Sequence, residues 1–169
     1  MGLIIIRVTL LVLLVVPVTL FAHCLEYRGR IESLQTTSDC DSPFGLCTAG
    51  KITEGVLKGT TRYTVTKVLG VVDQHGPTAL PTFVYAGNLK VTTKYKGTLE
   101  IEEAGMWDQE DKLDSGQAKR IVGTGKFLGS TGELFFYGNS LVSNNVPGFK
   151  ERISGKICLS REAEEIEID

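Results

Sequence analysis

The chain has 169 residues, 20 of them acidic and 18 basic, and a formal net charge of −2. Removing the first 22 residues would leave 147, enough for one domain and too few for two of ordinary size. Five acids stand in the last eight residues, so the body is close to neutral and has no basic stripe to bind phosphates. These features argue against a nucleic-acid-binding protein.

Residues 1–22 have the pattern of a secretory signal peptide. The run from Leu3 to Ala22 is almost entirely apolar, carries one positive charge at Arg7, and closes on a small residue. Its length also approaches the ~20 residues of a membrane-spanning helix, but Pro17 and Ala22 favour cleavage after Ala22. We therefore predict a secreted, extracellular protein with a folded domain at 23–160 and an acidic tail at 161–169.

Four cysteines follow this segment, and an even number in a secreted chain indicates two disulfides. Four cysteines allow three pairings. Cys40 and Cys47 flank a turn-rich stretch and would close a small loop, while Cys24 and Cys158 would tie the chain ends together. We prefer this connectivity. A metal site is the weaker alternative, because no pair has C-x-x-C spacing and the two histidines are far from a finger-like pattern.

The sequence of the rest of the chain predicts β-strands. Runs of β-branched and aromatic residues alternate with Gly, Pro, Asn or Asp, and alternation is clearest at 63–69 and 89–95. Lys58-Gly59 and Lys96-Gly97 indicate hairpin turns, which make sequence neighbours antiparallel. The predicted strands are 25–33, 49–57, 60–72, 82–95, 97–104, 117–124, 132–142 and 150–159.

Eight antiparallel strands in one domain favour a closed β-barrel, because closure removes the unpaired edges that promote aggregation. The stretch GTGKFLGSTGELFFYGN, residues 123–139, fits this fold, since its glycines permit coiling and close backbone approach. It matches a phosphate-binding loop poorly, because no Lys-Ser or Lys-Thr step and no helix follow. We predict an all-β protein, a closed eight-stranded antiparallel barrel.

Part of this stretch resembles the glycine-rich signature of the allene oxide cyclase and dirigent barrels. The matching pattern GTGKF-x-G-x-x-G comprises Gly123, Thr124, Gly125, Lys126, Phe127, Gly129 and Gly132. Residues 155–159 (GKICL) and 40–48 (CDSPFGLCT) resemble the closing strand and the cysteine-bearing entry of secreted relatives. The resemblance implies a calycin-like barrel with a central hydrophobic pocket.

Proteins of this family isomerise unstable fatty epoxides, steer the coupling of phenolic intermediates made by a separate oxidase, or close rings in polyketide pathways. None uses a metal or organic cofactor. The resemblance therefore implies a cofactor-free, dirigent-like cyclase or isomerase of secondary metabolism that holds a small hydrophobic intermediate, with a separate oxidase as an expected partner. The second bulky face of 132–142 favours self-association, because that apolar surface needs cover. The alternative is a non-catalytic secreted barrel that binds a small apolar ligand or a protein.

Strand positions supply the candidate site residues. A carboxyl group in an apolar barrel has a raised pKa and suits proton transfer, and a tyrosine hydroxyl can stabilise an oxyanion. We assign catalytic roles to Glu26, Tyr85 and Glu100. We assign ligand contacts to Tyr27, Tyr63, Trp107 and Phe127.

Two connections carry further polar residues. Residues 105–116 are predicted as a loop that folds Trp107 over the barrel mouth, and their acids lack the D-x-D-x-D-G order of a calcium loop. Asp73 and His75 belong to a second predicted loop, in which His75 is assigned to the surface. No metal site is predicted.

Overall fold

The computed structural model describes residues 23–72, 80–94 and 97–159 of this chain. The predicted signal peptide, the acidic tail, Asp73 and His75 lie outside these residues. None of the described residues belongs to a helix long and apolar enough to cross a membrane.

Eight antiparallel strands pair in sequence order and close into a barrel through β1 and β8, which confirms the predicted fold. Neighbouring strands pair around the whole barrel, so alternate residues point inward and outward except at register shifts in β3 and β6. The strands are β1 His23–Gln35, β2 Cys47–Ile52, β3 Gly59–Val72, β4 Thr82–Thr93, β5 Gly97–Asp108, β6 Leu113–Gly125, β7 Thr131–Ser143 and β8 Val146–Leu159.

The expected loop at 105–116 is wrong. β5 and β6 continue through most of this segment, with Gly105 opposite Gly116 and Trp107 opposite Asp114. Only Gln109 to Lys112 remain as a connection. Acids and glycines gave the segment the composition of a loop, but Gly105 and Gly116 pair across the ladder and Asp114 is buried on β6, so only Glu110 and Asp111 remain in the connection.

One end of the barrel is filled by a hydrophobic core, and we call it the closed end. The β2–β3 connection contributes Val56 and Leu57, and the β6–β7 connection contributes Phe127, which is completely buried. These side chains pack against the inward residues of the strands, which include Val91, Leu99, Ile101, Leu134, Ile153 and Ile157.

The glycine-rich stretch forms the turn that inserts Phe127 into the closed end. The Phe127 amide donates to the Thr124 carbonyl at 3.1 Å, and the Ser130 amide donates to the Phe127 carbonyl at 3.0 Å. Gly125 and Gly129 flank the turn with φ values of 58° and 77°, which glycine adopts with little strain. The glycines therefore serve the architecture.

Both preferred disulfides are present, Cys24–Cys158 and Cys40–Cys47. Cys24 and Cys158 lie directly opposite each other on β1 and β8 and join the two ends of the strand order. Cys40 and Cys47 bridge the connection that leads into β2.

We expect the two disulfides to differ in their contribution to stability. Cys24–Cys158 joins residues 134 positions apart, and Cys40–Cys47 joins residues 7 positions apart. From the chain entropy lost in the unfolded state, we expect a stabilisation of about 5 kcal/mol for the long loop and roughly 2.5 kcal/mol for the short one. The variants Cys24→Ala/Cys158→Ala and Cys40→Ala/Cys47→Ala should rank in that order in denaturant unfolding. A larger loss from the Cys40–Cys47 deletion would contradict this assignment.

Candidate functional site

The barrel half beyond the core encloses a cavity of about 350 Å³. Ile31, Leu89 and Phe136 belong to both the core and the cavity wall, so they form its floor. The exposed residue Leu46 also lines the cavity, which therefore reaches the surface near the entry to β2. Its wall is mostly apolar and aromatic, as is typical of ligand sites.

Three carboxyl side chains from three strands meet in this apolar wall, and we call them the acid cluster: Glu103, Asp114 and Glu151. Glu103 follows Leu99 and Ile101 on the inward face of β5, and Glu151 precedes Ile153 on the inward face of β8. Glu103 and Asp114 are 5% and 4% exposed, which places both within the barrel interior.

Two tyrosines connect to the acid cluster. The Tyr85 hydroxyl donates to Asp114 Oδ1 at 2.9 Å and lies 3.2 Å from Oδ2, and Tyr85 also hydrogen-bonds Glu103. The Tyr63 ring packs edge-on against Tyr85, with centroids 6.1 Å apart. The Tyr63 hydroxyl is buried and has no hydrogen-bond partner among the described residues. It is therefore available to a molecule in the cavity.

Burial keeps protons on the acid cluster. Loss of hydration, followed by the nearby charge of Asp114, raises the pKa of Glu103 to about 8. Burial also raises the pKa of Asp114 and, together with the charges of Asp114 and Glu103, raises the pKa of Glu151 well above its ordinary value. Asp114 and Glu151 hydrogen-bond each other and titrate as a pair. At neutral pH the cluster thus contains both proton donors and a proton acceptor.

The tyrosine hydroxyls remain protonated beside these acids. Burial first, and then the neighbouring carboxylates, raises the pKa of both Tyr63 and Tyr85 far above that of a free phenol. Both hydroxyls consequently act as hydrogen-bond donors at any physiological pH. Such donors suit a substrate oxygen that gains negative charge.

Inward glycines make room for the long polar side chains. A Cβ on Gly116 would overlap the Glu103 carboxyl, a Cβ on Gly87 would overlap the Tyr63 hydroxyl, and a Cβ on Gly105 would lie 2.8 Å from the Tyr85 hydroxyl. Each of these side chains therefore lies flat against a glycine on a neighbouring strand, and the centre of the barrel stays open.

Gly116→Ala should shift the Glu103 carboxyl into the cavity and disturb its hydrogen bond with Tyr85. We expect a loss of about 1–3 kcal/mol in the free energy of unfolding, typical of overpacking, and weaker ligand binding. Gly70→Ala is the matched control, because its Cβ would meet nothing within 4 Å. Equal stability of the two variants in thermal unfolding would show that Gly116 does not position Glu103.

The predicted site residues divide into three groups. Tyr63, Tyr85 and Trp107 line the cavity. Tyr27 and Phe127 point inward but belong to the packed core, where the Tyr27 hydroxyl donates to the Glu54 carbonyl at 3.1 Å. Glu26 and Glu100 are exposed on the outer face of β1 and β5, so their expected position inside the barrel is wrong.

Trp107 lies on β5, near the end of the barrel opposite the closed end, and not in a loop above the barrel. Its ring stacks on Phe83 with centroids 5.9 Å apart and meets Phe149 edge-on at 5.6 Å, while its Nε1 donates to Ser140 Oγ at 2.9 Å. Aromatic rings from β4, β5 and β8 therefore pack against one another and form one wall of the cavity.

The acid cluster is absent from the predicted site, although strand alternation contains a signal for two of its three members. On β5 the face that carries Leu99 and Ile101 continues to Glu103, whereas Glu100 and Glu102 lie on the opposite face. The same alternation from Ile157 and Ile153 reaches Glu151. Asp114 had no such signal, because its segment was read as a loop.

Neither a metal site among the described residues nor a similar protein identifies the function of this cavity. Within the described part of the chain, no group of three or more His, Cys, Asp or Glu side chains has the arrangement needed to hold a metal ion. Comparison with family models, curated proteins and solved structures found no match.

Proposed function

We propose that the barrel binds a small hydrophobic molecule in its cavity and that the acid cluster catalyses its cyclisation or isomerisation without an organic cofactor. One observation carries this proposal: three carboxyl side chains from three strands meet inside an apolar cavity of about 350 Å³, where burial raises their pKa values. Elevated pKa values in a cavity are typical of acid–base sites.

The cluster has the groups that a proton-transfer reaction needs. Glu103, protonated at neutral pH, donates a proton to a substrate oxygen, and the Asp114–Glu151 pair accepts a proton from carbon or from a second hydroxyl. The substrate gains and loses one proton, so the net reaction is an isomerisation. The apolar wall holds one conformer and excludes water from the intermediate.

The resemblance to allene oxide cyclases and dirigent proteins agrees with this chemistry and extends the proposal to a secreted protein of secondary metabolism. The two disulfides are compatible with an extracellular location. A separate oxidase would supply the reactive intermediate. Self-association would cover the outward side chains of β7, because Phe135 and Tyr137 are 43% and 57% exposed.

A barrel that binds without turnover is the second candidate, and the apolar character of the cavity wall favours it. Binding and turnover are separable, because Trp107 is the only tryptophan of the chain and lines the cavity. Its fluorescence therefore reports occupancy directly.

The test is a panel of fatty epoxides, phenolic quinone methides and linear polyketides, assayed for binding by Trp107 fluorescence and for ring closure in D₂O. We expect one class to bind and to form a cyclised product more slowly in D₂O than in H₂O, because the step proposed for Glu103 transfers a proton to a substrate oxygen. Glu103→Gln should lower the rate at least 100-fold and leave binding within a few-fold. Glu100→Gln, the same change on the outer face of the same strand, should have no effect. Binding without product would favour the second candidate, and no binding would refute both.

A further inference from the structure

Among the residues that the structure describes, none with a positive charge lines the cavity beside the acid cluster. The residues that line the cavity include three acids and no lysine, arginine or histidine. The two cations that flank Glu151 in sequence, Lys150 and Arg152, are exposed on the outer face of β8, and Lys150 pairs there with Glu32 at 2.7 Å. Bound protons therefore reduce the negative charge of the cluster, and no described cation in the cavity neutralises the rest.

Aromatic rings surround the same space. Tyr63, Phe83, Tyr85, Trp107, Phe136 and Phe149 all line the cavity. The face of an aromatic ring attracts a cation, most strongly where water is excluded, and cages of such rings are used to bind ammonium groups. Carboxyl groups and aromatic faces thus favour the same kind of ligand, and a carboxylate ligand would meet repulsion from both.

We propose that the ligand of this cavity is a small lipophilic amine, bound as its ammonium ion at the acid cluster with its apolar body against the aromatic wall and the floor. This inference rests on the use of the cavity as a ligand site, which both candidate functions share, and it adds the chemical class of the ligand. An ammonium ion held by Asp114 and Glu151 belongs with the second candidate, binding without turnover, because the pair is then not free to accept a proton. The ammonium nitrogen donates hydrogen bonds to Asp114 and Glu151, and it replaces a proton as the counter-charge. The cavity releases that proton to solvent.

Proton release makes the affinity for the amine depend on pH. The titratable groups that face the bound nitrogen are Glu103 on β5, Asp114 on β6 and Glu151 on β8, with the tyrosines of β3 and β4 beside them. Because the bound ammonium favours ionised carboxyls, affinity should rise between pH 6 and pH 8. A neutral ligand of the same shape should not show this increase.

The experiment compares three probes with one body and three head groups: 4-phenylbutylamine, 4-phenylbutan-1-ol and 4-phenylbutanoate. Titrated against the whole protein by Trp107 fluorescence at pH 7.5, the amine should bind at least tenfold more tightly than the alcohol, and the carboxylate should bind most weakly. Glu151→Gln should weaken the amine about tenfold and leave the alcohol within twofold. Glu100→Gln, exposed on the outer face, should change neither.

The outcomes separate the two proposals. Equal or tighter binding of the alcohol overturns the amine assignment and leaves the cavity as a site for neutral apolar molecules. Equal loss of both ligands in Glu151→Gln would show that Glu151 supports the cavity and does not recognise the charge, which also overturns the inference. Absence of binding by all three probes overturns the proposed ligand site itself.

Discussion

Replacing Glu103 with glutamine should stabilise the protein at pH 8.5 and above, by up to roughly 5 kcal/mol in the free energy of unfolding. The folded protein holds the pKa of Glu103 at about 8, against an ordinary value of 4.5 in the unfolded chain, and each pKa unit corresponds to 1.36 kcal/mol. Deprotonation of this buried carboxyl above pH 8 is therefore costly. Glutamine keeps the shape and carries no charge.

The same group sets the direction of the pH dependence. Below about pH 4.5 Glu103 is protonated in both states and its contribution to stability is fully present; as the pH rises through 8 that contribution is lost. Asp114 and Glu151 act in the same direction because burial raises the pKa of both. The melting temperature should therefore fall from pH 5 to pH 8.5, and the fall should be smaller in Glu103→Gln.

Thermal unfolding of the wild type, Glu103→Gln and Glu100→Gln across this range checks the prediction. Glu100→Gln is the control, because its exposed carboxyl loses little hydration on folding. A melting temperature that rises toward pH 8.5, or parallel curves for the wild type and Glu103→Gln, would show that Glu103 is ionised in the folded protein.

Replacing Gly123 with valine should lower the free energy of unfolding of the barrel by about 3–5 kcal/mol. Gly123 is buried. A Cβ added to Gly123 would overlap the carbonyl oxygen of Phe127 and would lie 2.8 Å from the Phe127 Cβ. The Phe127 carbonyl also accepts the Ser130 amide that closes the turn. Displacing the buried Phe127 ring opens the closed end, and loss of a buried phenylalanine typically costs 3–5 kcal/mol.

Two other glycines make this prediction specific. Gly129→Val should be milder, about 1–3 kcal/mol, because its Cβ would meet nothing within 4 Å and only its φ of 77° is unfavourable. Gly70→Val should be nearly neutral, since Gly70 has free space and lies in a strand. Denaturant unfolding should rank Gly123→Val as the most damaging. A larger loss at Gly129 would instead place the importance of the turn in its backbone conformation.

The fold was predictable because strand alternation and turn residues are local signals. Apolar and polar residues alternate clearly in runs such as Leu89 to Tyr95, and Gly, Pro, Asn or Asp separate the runs. The sequence therefore predicts eight strands and their antiparallel order. The turn at Asn144-Asn145, with φ of 51° and 65°, was less obvious and made the β7–β8 connection shorter than expected.

The candidate site was predictable only in part. Tyr63, Tyr85 and Trp107 reach the cavity because bulky aromatic residues on strands favour the interior. Glu26 and Glu100 were chosen for their chemistry without fixing which strand face is inward, whereas continuing the face of Leu99 and Ile101 leads to Glu103. The meeting of Glu103 with Asp114 and Glu151 depends on closure across three strands, which no local pattern encodes.

The most direct test of the account is the titration of the acid cluster by carboxyl ¹³C NMR in the ligand-free protein. Glu103 should titrate near pH 8, and Asp114 and Glu151 should both titrate above the range of free carboxyl groups, with mutually dependent curves. Titration of all three groups near pH 4, as in unfolded peptides, would mean that water fills the cavity and hydrates the carboxylates. The acid cluster would then hold no protonated carboxyl group at neutral pH, and the proposed proton transfer from Glu103 would be ruled out.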